Sequence, residues 1–407
     1  MVLKEINPSP RMLMCPGPVE ADPRVLRAMS APILGQFDPE FTALMTETME
    51  MARAVFQTRN EQTYTVDTTS RGGLEALLTA AVCPGDKVLI PAFGRFGYLL
   101  KEILQRSGAE ITLLEREWGT VFTPEEIEEA LKKDTYKAVA FIHGETSTSM
   151  MQPLDEIGKI CKRYDALLLV DTVATLGGAE VKMDDWLIDG CVSGTQKCIS
   201  APAGSSLITY NKAIEKIADA RKHVELGIRT LEDQDGVLPG ISSNYLDIAQ
   251  LKDYWSPRRL NHHTEATSMQ YAVHEALRLV LTEGLEARFA RHKLNDKALV
   301  AGLQAMGLKI FGDVEHKMPV VTAICIPEGA DGKLIRSQLL NDFGIEIATS
   351  FGPLDGKVFR IGNMGYSSQK RNILLLLGAL EAVLLQNHVK LPVGEGVAAA
   401  LEVYQNT

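Results

Sequence analysis

Between about residues 60 and 210, short and almost wholly apolar runs alternate with helical patterns. Strands that are apolar on both sides are typical of a parallel sheet with helices on both faces. We therefore predict an α/β fold with a large domain built on a mostly parallel, doubly wound sheet. The predicted strands are Thr63–Val66, Lys87–Pro91, Glu110–Leu114, Ala138–Ile142 and Ala166–Val170, and the predicted helices are Gly72–Val82, Tyr98–Arg106, Leu154–Arg163 and one that begins after Thr123 with a capping box.

A second unit follows, because 407 residues exceed what one hydrophobic core usually supports. We predict an N-terminal arm over residues 1–20 (irregular through Pro18), a large domain over 21–260, and an interdomain helix with a smaller α/β domain over 261–407. The elements predicted there are a helical stretch at Glu265–Met306 interrupted near Gly284, strands at Val320–Ile326, Ile345–Ala348 and Val358–Ile361, and helices at Lys333–Phe343 and Ser367–Gln386.

The charge and composition exclude several classes of protein. A net charge of −10 argues against binding to nucleic acid or to an anionic membrane surface. No apolar run approaches the roughly 18 residues of a membrane helix, and the N-terminus lacks signal-peptide features, so we expect a cytoplasmic protein. The six cysteines form no C-x-x-C pair, which favours free thiols over disulfides or metal.

Two charged residues follow apolar runs in a way that indicates chemistry. Asp171 comes directly after Leu167–Val170, where a carboxylate is costly unless a cation partners it. Lys197 lies downstream in the stretch Ser193–Lys197. Taken alone, Asp171 could be a loop or capping residue and Lys197 a solvated one. Together they suit pyridoxal phosphate, which needs a lysine amine for a Schiff base and an acidic partner for its pyridine nitrogen.

A phosphate-binding turn is predicted at Thr68–Gly73, between a strand and a helix. Backbone N–H groups and the helix dipole bind anions at such positions. The turn matches neither a dinucleotide-binding fingerprint nor a P-loop. Phe96, which follows the next strand, could stack on a cofactor ring or could simply pack.

Six motifs make the resemblance specific. The chain resembles fold-type I (class V) pyridoxal-phosphate aminotransferases of the alanine/serine–glyoxylate group over nearly its full length. The motifs are Pro16-Gly17-Pro18, His143-Gly144-Glu145-Thr146-Ser147-Thr148, Val170-Asp171-Thr172-Val173-Ala174, Ser193-Gly194-Thr195-Gln196-Lys197, His262-His263-Thr264 and Arg360-Ile361-Gly362.

The resemblance implies a role for each matching residue. Lys197 and Asp171 would be catalytic, as the Schiff-base lysine and the partner of the pyridine nitrogen. Arg360 would bind the substrate carboxylate, a bidentate task that suits guanidinium. Thr264 would reach the phosphate of the neighbouring subunit, which implies a homodimer with shared sites. The remaining cofactor-binding residues would be Thr69, Ser70, Arg71, Phe96, Thr146 and Gln196, of which Arg71 departs from the alanine–glyoxylate pattern without a physical account.

Two further amides bear on the amino donor. Gln36 lies near the expected substrate mouth, and Asn261 stands where alanine–glyoxylate relatives carry Tyr. An amide offers both a donor and an acceptor, and a ureido group presents the complementary pair. We therefore expect both residues to bind substrate, with glyoxylate as acceptor and a ureido-bearing amine as donor. Alanine or serine is the alternative donor, and the two amides could instead simply be solvated in a loop.

Other functions fit less well. The adjacent histidines His262 and His263 suggest metal, but no further ligand spacing supports a site, so none is predicted. A cysteine desulfurase would need a mobile loop thiol, whereas Cys325 lies within the predicted strand Val320–Ile326. An effector-binding module of a transcription regulator would need an added DNA-binding domain.

Overall fold

Strands and helices alternate along the chain in the computed structural model, which describes residues 3–406. Residues 1 and 2 of the predicted arm and residue 407 of the predicted small domain lie outside the described residues. The strands are β1 (Met12–Leu13), β2 (Gln62–Val66), β3 (Lys87–Ala92), β4 (Glu110–Glu115), β5 (Ala138–Ile142), β6 (Gly144–Glu145), β7 (Met150–Met151), β8 (Leu167–Asp171), β9 (Gly190–Gly194), β10 (Ser206–Tyr210), β11 (Val321–Cys325), β12 (Ile345–Glu346), β13 (Ala348–Thr349) and β14 (Val358–Gly362). The helices are α1 (Pro23–Ala28), α2 (Pro39–Phe56), α3 (Ser70–Ala81), α4 (Arg95–Arg106), α5 (Pro124–Leu131), α6 (Asp155–Arg163), α7 (Lys212–Ala220), α8 (Ile248–Trp255), α9 (Thr267–Glu283), α10 (Leu285–Ala305), α11 (Gly332–Phe343), α12 (Lys370–Gln386) and α13 (Glu395–Gln405).

A seven-stranded sheet forms the centre of the larger hydrophobic core. Its order is β2-β10-β9-β8-β5-β3-β4, and only β10 runs antiparallel to its neighbours. The strands β5, β8 and β9 are buried along their whole length, and the apolar runs predicted the first two of them. The predicted α/β architecture with a mostly parallel sheet is confirmed. The carboxyl ends of the parallel strands meet at one edge of the sheet, which is where ligands bind in such folds.

The C-terminal part of the chain has its own apolar cluster, formed by residues between 298 and 400 together with Met14. A three-stranded antiparallel sheet, in the order β11-β14-β13, lies in this part. The predicted single strand Ile345–Ala348 is wrong. The chain changes partner at Ile347, so that β12 pairs with β1 and β13 pairs with β14.

The N-terminal segment is more ordered than predicted. Residues Met12 and Leu13 pair in parallel with β12, and the N–H of Gly362 donates to the carbonyl oxygen of Met14 at 2.9 Å. The prediction of an arm that is irregular through Pro18 is therefore wrong at these positions, because an exposed edge of the C-terminal unit pairs with them. None of the described helices is long and apolar enough to cross a membrane.

Candidate active site

Loops that follow five strands converge on one cavity of about 160 Å³. The turn after β2, the start of α4 after β3, and the segments after β5, β8 and β9 all contribute. Most of the predicted site residues are thereby brought together, as expected for the carboxyl edge of a parallel sheet. Those that line the cavity are Ser70, Arg71, Phe96, Thr146, Asp171, Gln196 and Lys197.

Lys197 lies at this cavity with its amine held by the N-terminal segment. Its Nζ donates a hydrogen bond to the carbonyl oxygen of Pro16. A Cβ on Gly17 would lie 2.5 Å from this Nζ, and Gly17 has φ of +101°, so only glycine fits there. Burial lowers the pKa of Lys197 to about 8. A lysine amine with a depressed pKa is a competent nucleophile and proton acceptor near neutral pH.

Asp171 ends β8 with its carboxyl buried on the floor of the same cavity. Its Oδ1 accepts the backbone N–H of Val173 at 2.8 Å. Burial raises the pKa of Asp171 to about 7, with a smaller contribution from the nearby Glu145. A carboxyl in this state is prepared for a cationic partner, which would restore its ionised form.

The first turn of α3 forms an anion cradle. Thr69 is the N-cap residue and makes no side-chain capping bond, while the N–H groups of Gly72 and Gly73 donate to its carbonyl oxygen at 2.9 and 3.3 Å. The Nε2 of Gln196 donates to Ser70 Oγ at 3.0 Å, while its Oε1 is buried without a hydrogen-bond partner. Arg71 is exposed at the cavity mouth. Cation, hydroxyl and helix N-terminus together suit a phosphate.

Arg360 is buried on β14. Its Nε donates to the carbonyl oxygen of Thr349 at 2.8 Å, and one terminal nitrogen donates to that of Thr146 at 2.9 Å. The guanidinium also lies 4.7 Å from the ring centre of Phe351. Burial lowers the pKa of Arg360 to about 10. The group is thus fixed in place, and it remains a cation at neutral pH.

Glu145, to which the sequence motifs gave no role, is completely buried. Its carboxylate accepts the backbone N–H groups of Phe96 at 2.8 Å and Ser147 at 3.0 Å, and the Ser147 hydroxyl at 2.6 Å. Burial raises the pKa of Glu145, and the neighbouring Arg360 opposes that rise. The residue therefore ties the Phe96 turn to the segment that carries Thr146. The signal that could have identified it is an acidic residue three positions after the apolar strand β5.

Three predicted residues lie elsewhere in this chain. Gln36 and Thr264 line a separate open groove, outside the Lys197 cavity. Asn261 is beside them, because Gln36 Nε2 donates to Asn261 Oδ1 at 3.0 Å. The backbone N–H of Glu265 in turn donates to Gln36 Oε1 at 3.1 Å. The two amides therefore form one group with the Thr264 segment. This group does not line the Lys197 cavity of the same chain.

The fold and the cavity define the class of protein: an aminotransferase on a fold-type I α/β scaffold. Residues 30–354 match the family described as "Aminotransferase class-V". The chain belongs to the class V aminotransferases, and the resemblance read from its motifs is confirmed.

Several relatives cover almost the whole chain. The (S)-ureidoglycine–glyoxylate transaminase of Bacillus subtilis (strain 168) is 57% identical, over 97% of this chain and 96% of the relative. The alanine–glyoxylate aminotransferase of Callithrix jacchus is 35% identical, over 94% of this chain and 90% of the relative. Among solved structures, the ureidoglycine–glyoxylate aminotransferase from Bacillus subtilis has a TM-score of 0.94 at 54% identity, covering 99% of this chain and 100% of that chain. The alanine–glyoxylate aminotransferase from Nostoc sp. has a TM-score of 0.88 at 38% identity, covering 94% of this chain and 98% of that chain.

Proposed function

We propose that this enzyme transfers the amino group of (S)-ureidoglycine to glyoxylate, giving oxalurate and glycine, as a cytoplasmic step of purine catabolism. The observation that carries the proposal is the meeting of a lysine and a buried carboxyl beside an anion cradle at one cavity. The similarity to a ureidoglycine–glyoxylate transaminase supports the choice of donor.

The residues of the cavity fit pyridoxal phosphate. Lys197 would bind its aldehyde carbon, and Asp171 would face its ring nitrogen. The ring of Phe96 would stack on it, beside Thr146. Its phosphate would lie at the N-terminus of α3, where Thr69, Ser70, Arg71 and Gln196 are available. When bound, this cofactor supplies an electron sink for the substrate Cα and carries the amino group between the two substrates.

Lys197 would move the proton in each half-reaction. Its Nζ, with a pKa lowered by burial to about 8, is poised to take the proton from the substrate Cα and to return one. Asp171 would keep the ring nitrogen protonated. Burial of its carboxylate is unfavourable and raises its pKa to about 7, and a protonated ring nitrogen would offset that unfavourable burial by pairing with the carboxylate. Glu145 would act as a positioning residue, since it holds the Phe96 turn through two residues' N–H groups.

Arg360 would bind the carboxylate of each substrate. Its Nε and one terminal nitrogen already donate to backbone carbonyls, and these bonds orient the remaining N–H groups. A preoriented guanidinium loses little side-chain entropy on binding. Gln36 and Asn261 would bind the ureido group of the donor through their amides.

The position of Gln36, Asn261 and Thr264 favours a homodimer with shared active sites. These residues lie away from Lys197 of their own chain, at an open groove where Ile33 and Phe37 are exposed. Exposed apolar side chains that cluster beside polar ones are typical of protein interfaces. A second copy of the chain would cover the groove and would receive Thr264 at its own phosphate.

A half-reaction panel tests the donor. Enzyme loaded with pyridoxal phosphate is mixed separately with freshly generated ureidoglycine, alanine and serine, and the loss of the lysine-bound cofactor's visible absorbance is followed. Ureidoglycine is expected to react at least ~10-fold faster than the other two, since donors that lack a ureido group would make fewer hydrogen bonds to the amides of Gln36 and Asn261.

The Lys197→Ala variant tests the role of the lysine in proton transfer. It is expected to bind substrates and to lose turnover by ~10²-fold or more, because the proton-transfer group is gone. Faster reaction with alanine or serine would overturn the donor but leave the aminotransferase class intact. Normal turnover by Lys197→Ala would overturn the proposed role of the lysine.

A further inference from the structure

A buried group of one imidazole and two carboxylates lies outside the Lys197 cavity. It consists of Asp67, His263 and Glu265, and one side-chain nitrogen or oxygen atom of each lies within 4.8 Å of those of the other two. His263 Nε2 lies 3.4 Å from Asp67 Oδ2 and 3.5 Å from Glu265 Oε2. Only 1% of the Glu265 side chain, 7% of Asp67 and 12% of His263 is exposed. Two carboxylates this deeply buried cannot both stay ionised beside a neutral imidazole without a large cost.

The group joins two segments that the proposed function assigns to phosphate. Asp67 directly follows β2 and precedes the turn Thr68–Ser70 of its own chain. His263 and Glu265 flank Thr264, which is assigned to the phosphate of the neighbouring subunit. The N–H of Ala266 donates to Asp67 Oδ2 at 2.6 Å, so a backbone bond reinforces the side-chain contacts.

Several buried polar atoms at this group lack a hydrogen-bond partner, and the Tyr254 hydroxyl beside Glu265 is one of them. Gln270 Nε2 donates to Glu265 Oε1 at 2.5 Å, but Glu265 Oε2 and His263 Nε2 have no hydrogen-bond partner. A proton between these two atoms would satisfy both after a small approach. His263 Nδ1 is already bonded to His262 Nδ1 at 2.8 Å, which leaves Nε2 as the nitrogen that faces the carboxylates.

We propose that Asp67, His263 and Glu265 share a proton and form a clamp that holds the Thr264 segment on the end of β2, so that this proton supports phosphate binding by the neighbouring subunit. The inference rests on the proposed function, which supplies the cofactor and the shared site. Burial raises the pKa of Glu265, and the Asp67 carboxylate raises it further. The clamp proton is therefore held at neutral pH and released as the pH rises.

Side chains from the surrounding elements pack against the clamp and affect how tightly it binds its proton. The ring of Tyr254 on α8 lies 4.9 Å from that of His263, and Gln270 faces the clamp from α9. The ring of Tyr245 lies 5.5 Å from His263. Among the described residues, the titratable or charged neighbours are Tyr245, Tyr254, Arg259 and His262, and Tyr254 and Arg259 face Glu265.

The test measures cofactor affinity rather than turnover. Apo enzyme is titrated with pyridoxal phosphate from neutral to alkaline pH, with dimer mass and thermal unfolding recorded alongside. Glu265→Gln carries a neutral donor in place of the protonated acid, so its affinity at neutral pH should stay within about threefold of the wild type. The wild type should lose affinity as the pH rises through release of the clamp proton, whereas Glu265→Gln should not show this loss.

His263→Phe provides the opposite case, because it keeps an aromatic ring and removes the nitrogen between the carboxylates. Its affinity is expected to fall roughly 10-fold, and the double variant His263→Phe/Glu265→Gln should regain most of that loss, since the carboxylate repulsion is gone. Glu47→Gln is the control, because Glu47 contacts His274 at 3.0 Å on the exposed surface. It should bind the cofactor as the wild type does.

Several outcomes would overturn the clamp. One is a parallel pH dependence of cofactor affinity in the wild type and Glu265→Gln. Another is a loss of cofactor affinity in Glu265→Gln as large as that in His263→Phe. A third is one tightly bound divalent metal ion per subunit in place of the proton. Thr264→Ala separates this proposal from the proposed function. If Thr264→Ala weakens binding while His263→Phe does not, the clamp alone is wrong. If Thr264→Ala binds normally, the shared phosphate site fails and the clamp falls with it.

Discussion

The cavity places two groups of opposite charge in environments that shift their protonation toward neutral pH. Burial lowers the pKa of Lys197 to about 8 and raises that of Asp171 to about 7. Pairs of this kind are characteristic of catalytic sites, where proton transfer is most efficient with pKa values near the working pH. Because burial of each charged group causes these pKa shifts, both groups lower the free energy of unfolding, and the rest of the fold compensates for them.

Asp171 provides a pH prediction for the apo enzyme. Its native pKa lies above that of the unfolded chain, so the native state binds the proton more tightly. The free energy of unfolding should therefore fall as the pH rises from about 4 to about 7, by on the order of 3 kcal/mol from this group. Asp171→Asn should show a flatter slope in urea unfolding across this window.

A matched control for Asp171 lies on the surface. Asp134 pairs with Lys87, and the hydrogen bond from Lys87 lowers its pKa, so Asp134→Asn should leave the slope unchanged in the same window. Added pyridoxal phosphate should flatten the wild-type slope, because a cationic ring nitrogen restores the ionised carboxylate. Equal slopes for wild type and Asp171→Asn would show that this carboxyl ionises normally in the apo protein.

At the scale of single elements, α5 shows how local sequence determines a helix start. Thr123 Oγ1 accepts the N–H of Glu126, and Glu126 Oε2 accepts the N–H of Thr123 at 2.7 Å. Both bonds of the predicted capping box are thus present, with Pro124 at the first helical position.

The capping box predicts a stability change without a change in chemistry. Thr123→Ala should lower the free energy of unfolding by about 1 kcal/mol, because a helix N–H loses its acceptor. Glu129→Ala, an exposed position on the same helix, should change it by less than about 0.5 kcal/mol. Chemical denaturation measures both, and kcat should remain that of the wild type. An equal effect of the two substitutions would mean that the cap contributes nothing.

Elements with a strong period were predictable, and those without one were not. The strand Ala138–Ile142 was predicted to the residue, because every side chain in it is apolar and buried. The strand Gly190–Gly194 was missed, since two glycines, a serine and a cysteine leave no apolar run. The break at Ile347 was missed for a different reason: its cause is the pairing of β12 with β1, more than 300 residues away along the chain.

The site shows the same limit. Asp171 could be predicted because it ends an apolar strand that is visible in the sequence, and Lys197 because its motif matches that of the family. Glu145 belongs to the motif His143–Thr148, but its partners, the N–H groups of Phe96 and Ser147, are defined only by the folded turn. The grouping of Asp67 with Glu265 likewise joins residues almost 200 positions apart.

At the scale of the whole molecule, the separation of Thr264 from Lys197 within one chain predicts how mixed dimers behave. Consider a dimer of one Lys197→Ala subunit and one Thr264→Ala subunit. If Thr264 serves the partner, the site with an intact Lys197 receives an intact Thr264 from the other chain. That dimer should bind cofactor at this site with wild-type affinity and retain about half of the wild-type activity.

The reciprocal arrangement should fail. A wild-type subunit paired with a Lys197→Ala/Thr264→Ala subunit has its only working lysine opposite the altered threonine. Its cofactor affinity should fall roughly 10- to 100-fold, the usual cost of one hydrogen bond to a charged group. Differently tagged subunits, purified as mixed dimers and titrated with pyridoxal phosphate, measure both cases. If the two dimers show the opposite order, each subunit uses its own Thr264, and the groove that Gln36 and Thr264 line is not part of a shared site.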